Sequence, residues 1–213
     1  MSNSRPEKSA ARGQLFVISA PSGAGKTSLV KALLEGRRDL CLSVSHTTRT
    51  ARPNEVDGRE YHFVLVEEFQ KLADRHEFLE HAKVFDNYYG TSAPFVKANL
   101  NRGRSVILEI DWQGARQVRA SLPECVSIFV LPPSRAALEE RLRARKTESD
   151  AAIERRLRDA VGDMSHWSEF DYVIVNDDFA TALHDLTSIV DSQGGLLRAD
   201  RPALQPLIAE LLA

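Results

Sequence analysis

Apolar residues fall along this chain in two rhythms. Leu15-Phe16-Val17-Ile18, Ser105–Ile110, Val126–Leu131 and Tyr172–Val175 have little or no polar face, the texture of strands buried on both sides. Between them the spacing turns helical. Leu29, Val30, Leu33 and Leu34 recur until Gly36, a natural C-terminal stop, and Ser92-Ala93-Pro94 opens a second helix with Ser92 as N-cap and Gly103 as its end. Buried-type strands separated by helices predict an α/β fold, a parallel sheet covered by helices, with a further short strand near Leu42–Ser45. Two stretches break the alternation. From 45 to 92 the runs are short and partly alternating, as at Tyr61–Val66 and Phe78–Phe85, with a small helix near Glu67–Ala73, which predicts a separate β-rich lobe. From 134 to 167, Leu138 and Leu142 mark one helical face and Ile153, Leu157, Ala160 and Met164 another. A helix follows the last strand at Phe179–Val190, Pro202, Leu204, Leu207, Ile208, Leu211 and Leu212 keep helical spacing and predict a packing element, and residues 1–12 carry no periodicity and read as a mobile tail.

Composition narrows the class. At 213 residues, 43% hydrophobic and 27% charged, the chain suits one globular domain with sub-lobes. A net charge of −2 gives no support for general nucleic-acid binding, which calls for a strongly basic surface. Cys41 and Cys125 are too few for a disulfide framework and point to a reducing compartment. With no apolar run near ~18 residues and no hydrophobic signal core, neither a membrane nor an export route is expected, and the location expected is the cytoplasm.

The candidate chemistry begins right after the first strand. Ala20-Pro21-Ser22-Gly23-Ala24-Gly25-Lys26-Thr27 places a glycine-rich turn between a strand and a helix, where backbone N–H groups can converge on a polyphosphate. In such a loop Lys26 reaches the outer phosphates and Thr27 ligates magnesium. Ala20 stands where the motif's first glycine belongs, so the turn there should be one an L-residue makes. Downstream, residues 45–63 set Arg49 and Arg52 three apart, followed by Glu55, Gly58, Tyr61 and Phe63. Two guanidinium forks suit a phosphate dianion, although an Arg-x-x-Arg on its own is usually a solvated pair. Glu109 and Asp111 end an apolar strand where phosphate-loop proteins place a metal-organising carboxylate. Asn176 and Asp177, after the last strand, either approach a donor base or cap the following helix.

The run Thr47-Thr48-Arg49 through Arg52, Glu55, Gly58, Tyr61 and Phe63 resembles the signature of guanylate kinases, and the resemblance extends from about Gly13 to Ile189. It continues through Phe78-Leu79-Glu80, Asn87-Tyr88-Tyr89-Gly90-Thr91, Leu108 to Gly114 and Val173 to Asp178, and is closest in kind to the bacterial type. The resemblance implies a nucleoside monophosphate kinase fold with a core of 13–44, 93–133 and 168–213, a GMP-binding lobe of 45–92 and a lid of 134–167. It implies ATP and GMP as substrates, dGMP as a further acceptor, and Mg2+ as cofactor. Residues 20–27 and Asn176 would hold ATP, with Thr27 on the metal. Arg49, Arg52, Tyr61 and Tyr89 would grip the GMP phosphate, and Glu80 would read guanine with Ser45 and Thr91. Glu109 and Asp111 would serve either metal or base. Lys26 and Arg49, with the lid arginines Arg145 and Arg156, would carry catalysis. Lys146 replaces the family's usual glycine after Arg145, which puts the bending of the lid there in question. A non-catalytic scaffold would be expected to lack the phosphate loop or lid arginines, and a sugar-phosphate kinase has no base edge for Glu80 to read. The oligomeric state is left open.

Overall fold

The computed structural model describes residues 12–84, 86–144 and 150–213. In chain order the elements are β1 (Leu15–Ser19), α1 (Lys26–Leu34), β2 (Leu40–Leu42), β3 (His46–Thr47), β4 (His62–Phe63), α2 (Val66–Asp74), β5 (Phe78–Val84), β6 (Asn87–Ser92) and α3 (Ala93–Asn101). Then come β7 (Ser105–Glu109), α4 (Trp112–Ser121), β8 (Val126–Leu131), α5 (Arg135–Ala144), α6 (Asp150–Met164), β9 (Tyr172–Val175), α7 (Phe179–Val190) and α8 (Gln205–Leu212).

The larger sheet runs β2-β7-β1-β8-β9, every pairing parallel. Successive residues of each strand point to opposite faces, so an unbroken apolar run fills two cores at once. Leu15, Val17, Val106, Leu108, Phe129 and Val173 pack on one face against Val96 and Leu100 of α3, Val118 of α4 and Leu211 of α8. Phe16, Ile18, Ile107, Ile128 and Ile174 pack on the other against Leu29 and Leu33 of α1 and Leu186 of α7. The tail helix is therefore a packing element, as its spacing predicts.

The smaller sheet runs β4-β3-β6-β5, with β3 parallel to β4 and the other pairings antiparallel. Two strand expectations shift here. The short strand is Leu40–Leu42 rather than Leu42–Ser45, because Leu40, Cys41 and Leu42 pair with Ser105, Val106 and Ile107 of β7, and after Ser43 donates to Ile107 the chain leaves for the other sheet. Of the run Tyr61–Val66, His62 and Phe63 form the strand, Tyr61 makes an isolated bridge to Asp57, and the run ends because Leu65 is the exposed N-cap of α2. In the helical insertion, Leu138, Leu142, Ile153, Leu157 and Ala160 form their own small core. Met164, expected with them, is buried instead in the core of the large sheet, because α6 is long enough at 15 residues to span both. Arg145, Lys146, Phe85 and the expected tail up to residue 11 lie outside the described residues.

Candidate active site

The register Ile18↔Glu109 sets the carboxyl ends of β1 and β7 side by side, which brings residues 20–27 against residues 109–111. In open parallel sheets ligands bind in the crevice outside those ends. Gly23 and Gly25 carry the loop's positive φ values, 93° and 94°. Ala20 keeps a φ that an L-residue adopts readily, as expected. No side chain caps α1, so the N–H groups of its first turn are left for a ligand. Lys26 Nζ donates to the carbonyl of Ile110 at 3.2 Å, and the Thr27 hydroxyl donates to the Glu109 carboxylate.

Asn176 is not a helix cap. Asp178 accepts from the N–H and hydroxyl of Thr181 and so caps α7, which corrects the capping alternative for both Asn176 and Asp177. Buried Asn176 instead donates to the carbonyl of Ala24 at 2.7 Å, and a Cβ on Gly25 would lie 2.3 Å from its Nδ2. Glycine at 25 is thus required by φ and by space. Arg141 of α5 extends this staple by donating Nη2 to the Asn176 carbonyl at 2.8 Å, while its buried Nη1 finds no partner among the described residues. The sequence spacing sets Arg141 four residues before Arg145 on one helical face but gives it no role, which only the contact with Asn176 supplies. Arg156 stands half-buried on α6 and does not line the clefts described next.

Opposite the loop lies a cleft of about 790 Å³ lined by Thr27, Ser45, Arg49, Arg52, Tyr61, Tyr89 and Glu109 among others. A smaller recess of about 160 Å³ adjoins it, where Lys26, Ser45, Glu80, Tyr89 and Asp111 meet. Arg49 is held in place by Glu55, whose two oxygens both lie 2.9 Å from Nη2, and its guanidinium lies 5.4 Å from the Tyr61 ring centre. Glu55 also accepts from the backbone N–H of Arg52 at 2.7 Å. Burial raises the Glu55 carboxyl, but these donors outweigh it and hold the group below the usual carboxylate range. The sequence run contained Glu55, yet only the fold shows it as the brace of Arg49.

Glu80 lies deepest, at 4% exposure, and accepts from the fully buried Thr91 hydroxyl at 2.6 Å. Thr91 faces it across the β5–β6 ladder, beside a shift of register between Phe78 and Glu80. Such irregularities re-aim side chains, and here a polar residue of a half-buried strand lies wholly inside. Burial pushes the carboxyl up to about 7, with the Thr91 hydrogen bond pulling against it and the charge of Asp111 adding to it. The two carboxylates after β7 part company. Glu109 meets Thr27, whereas Asp111 caps α4 by accepting from Gly114 N at 2.8 Å and faces Glu80.

The sequence and the fold are similar to those of known proteins. A family model described as guanylate kinase matches residues 12–193. A protein named guanylate kinase from Methylococcus capsulatus is 57% identical over 94% of this chain and 98% of its own length, and one from Chromohalobacter salexigens is 53% identical over 98% and 97%. The crystal structure of guanylate kinase from Anaplasma phagocytophilum superposes with a TM-score of 0.71 at 34% identity, covering 95% of this chain and 97% of that one. With the phosphate loop, the paired arginines and the buried carboxylate in these positions, the chain belongs to the guanylate kinase family.

Proposed function

We infer that this kinase, which phosphorylates GMP to GDP with ATP, works by direct in-line transfer and accepts dGMP as well. The observation that carries the reading is the opposition of two polyanion sites across one cleft: the uncapped start of α1 with Lys26 on one side, and Arg49, Arg52 and Tyr61 on the other. An acceptor phosphate is already an anionic nucleophile, so the chain needs no covalent intermediate. Its task is to position and neutralise two anions. The loop N–H groups hold the donor, and Lys26 leaves Ile110 to follow the charge of the transferring group. Arg49, braced by Glu55, presents its remaining N–H donors to the acceptor phosphate beside Arg52, Tyr61 and Tyr89. Burial raises the Tyr61 phenol and keeps it a proton donor.

Thr27 and Glu109 fit a magnesium ion. The Thr27 hydroxyl donates its hydrogen bond to Glu109, which leaves an oxygen lone pair for the metal, and magnesium typically completes its shell with phosphate oxygens and water rather than a protein cage. Among the described residues no group of three or more His, Cys, Asp or Glu offers such a cage. Thr27 and Glu109 would hold the ion, which would supply charge neutralisation for the donor phosphates. Glu109 is assigned to this side of the cleft and Asp111 to the base side.

Guanine presents N1–H and a 2-amino group together, and the Glu80 carboxylate accepts both, with Ser45 and Thr91 beside it. Adenine offers a bare N1 lone pair to the same carboxylate. Arg145 and Arg156 complete the site when the helical insertion closes as a lid. No described helix is long and apolar enough to cross a membrane, and the reaction is assigned to the cytoplasm. The test is ADP release with GMP, dGMP, AMP, UMP and a sugar phosphate as acceptors. GMP should exceed AMP by about 10⁴-fold in kcat/KM, as expected where buried polar groups are left unpaired by the wrong substrate. Comparable rates with AMP would overturn the base-reading part of this scheme.

A further inference from the structure

Glu80 and His81 belong to the edge strand of the small sheet, and α4 of the large sheet is packed against that strand. Three α4 residues spaced i, i+3, i+6 form the contact face. Asp111 opens the helix by accepting the Gly114 N–H. Gly114 then brings bare backbone against the buried carboxylate, since a Cβ there would lie 2.6 Å from Glu80 Oε2 and 3.1 Å from its carboxyl carbon. Gln117 closes the seam. Its Nε2 donates to the carbonyl of His81 at 3.0 Å and its Oε1 accepts from the His81 N–H at 3.2 Å, so one amide pairs both outward backbone groups of the residue next to Glu80.

We propose that Gly114 and Gln117 are positioning residues for guanine selectivity: α4 docks on β5 so that the Glu80 carboxylate has one orientation open to it. This rests on the reading of Glu80 as the base reader. The Thr91 hydroxyl engages Oε1, and the α4 backbone stands behind Oε2, so the side chain cannot turn its second oxygen away from the recess. The Gly114 N–H is committed to Asp111, so the helix braces Oε2 without its own N–H competing for the oxygen a ligand would use. Gln117 fixes the strand itself, and with it the depth at which Glu80 enters. Neither Gly114 nor Gln117 lines either cleft, and both meet β5 rather than the phosphate loop. Their loss should therefore act on the acceptor base alone.

The experiment is steady-state kinetics with GMP and IMP on Gly114→Ala, Gln117→Ala and Gln117→Glu, with Glu80→Gln as reference and thermal unfolding alongside. IMP keeps N1–H and lacks only the 2-amino group. An added methyl at 114 meets the far end of a side chain rather than backbone, so the fold should survive while the carboxylate is displaced. Gly114→Ala should raise KM for GMP by about 10²-fold, the scale of an ångström-sized misplacement. Gln117→Ala, losing two hydrogen bonds, should raise it about tenfold, and Gln117→Glu, which keeps the acceptor and loses the donor, should fall between it and the parent. In each, the ratio of GMP to IMP in kcat/KM should drop while KM for ATP holds. A merely structural role would lower the unfolding temperature and leave that ratio untouched. If the α4 variants keep the parent ratio while Glu80→Gln loses it, the positioning role is wrong. If Glu80→Gln itself keeps the ratio, the base reader is another group and the proposal falls with it. Should Gly114→Ala fail to fold, the Gln117 pair decides the matter.

Discussion

Lys26 rests on a backbone carbonyl 3.2 Å away, a contact it would give up to serve the donor phosphates as proposed. Lys26→Ala should therefore lower kcat by about 10³-fold, the scale of losing an electrostatic stabiliser of the transition state, and leave GMP affinity in calorimetry nearly intact. An equal loss of GMP affinity would reassign the lysine to the acceptor. Glu80 makes the opposite kind of prediction. On the proposed base reading its carboxyl, pushed up to about 7 by burial, has to ionise to accept two guanine donors, so GMP affinity should rise as pH increases through about 7. The GMP phosphate titrates near ~6, so the comparison is with Glu80→Gln, which keeps that step and should lose the later one. Stability runs the other way. Because the folded state holds this proton to higher pH than the unfolded chain, whose ordinary value is 4.5, the Glu80 contribution to stability falls as pH rises from there to about 7. Denaturant titrations at pH 5 and pH 8 should show a smaller difference in Glu80→Gln than in the parent.

Among elements, the phosphate loop is held from outside by β9 and α5. Asn176 carries the hydrogen bond to Ala24, Arg141 anchors Asn176 from α5, and Leu138 and Leu142 pack where a side chain at 23 would stand. Asn176→Ala should raise KM for ATP with little change in KM for GMP, since the loop loses the Ala24 hydrogen bond from the residue that follows β9. Gly25→Ala should be worse for the fold, costing at least the ~1–2 kcal/mol of an L-residue in a left-handed conformation, with the Asn176 contact at 2.3 Å adding to it. Urea unfolding of both variants separates the effects, because only the glycine change carries the backbone penalty.

For the whole molecule, α6 joins two cores: Ile153 and Ala160 pack with α5, and Met164 is buried in the large-sheet core. A helix anchored at one end suits a lid, and Arg156 lies outside the clefts in this conformation. Scattering should show compaction when both nucleotides bind, and Arg156→Ala should depress kcat more than either KM, because on the proposed reading Arg156 reaches the transferring phosphoryl group only when the lid closes. The local chemistry of this chain was legible without coordinates. The strand runs of β1, β7, β8 and β9, the Ser92 cap, the glycine loop and the arginine run are each written in residues near one another, where spacing and backbone preference decide. Only the tertiary structure decided which distant residues meet. It assigned Asn176 to the loop and Asp178 to the helix cap, split Glu109 from Asp111, gave Arg49 its brace in Glu55, and set Gly114 and Gln117 behind Glu80. The reason is physical: periodicity specifies which face of an element is buried, but a carboxylate's role depends on what lies across that face, and that is set by strand order and helix docking.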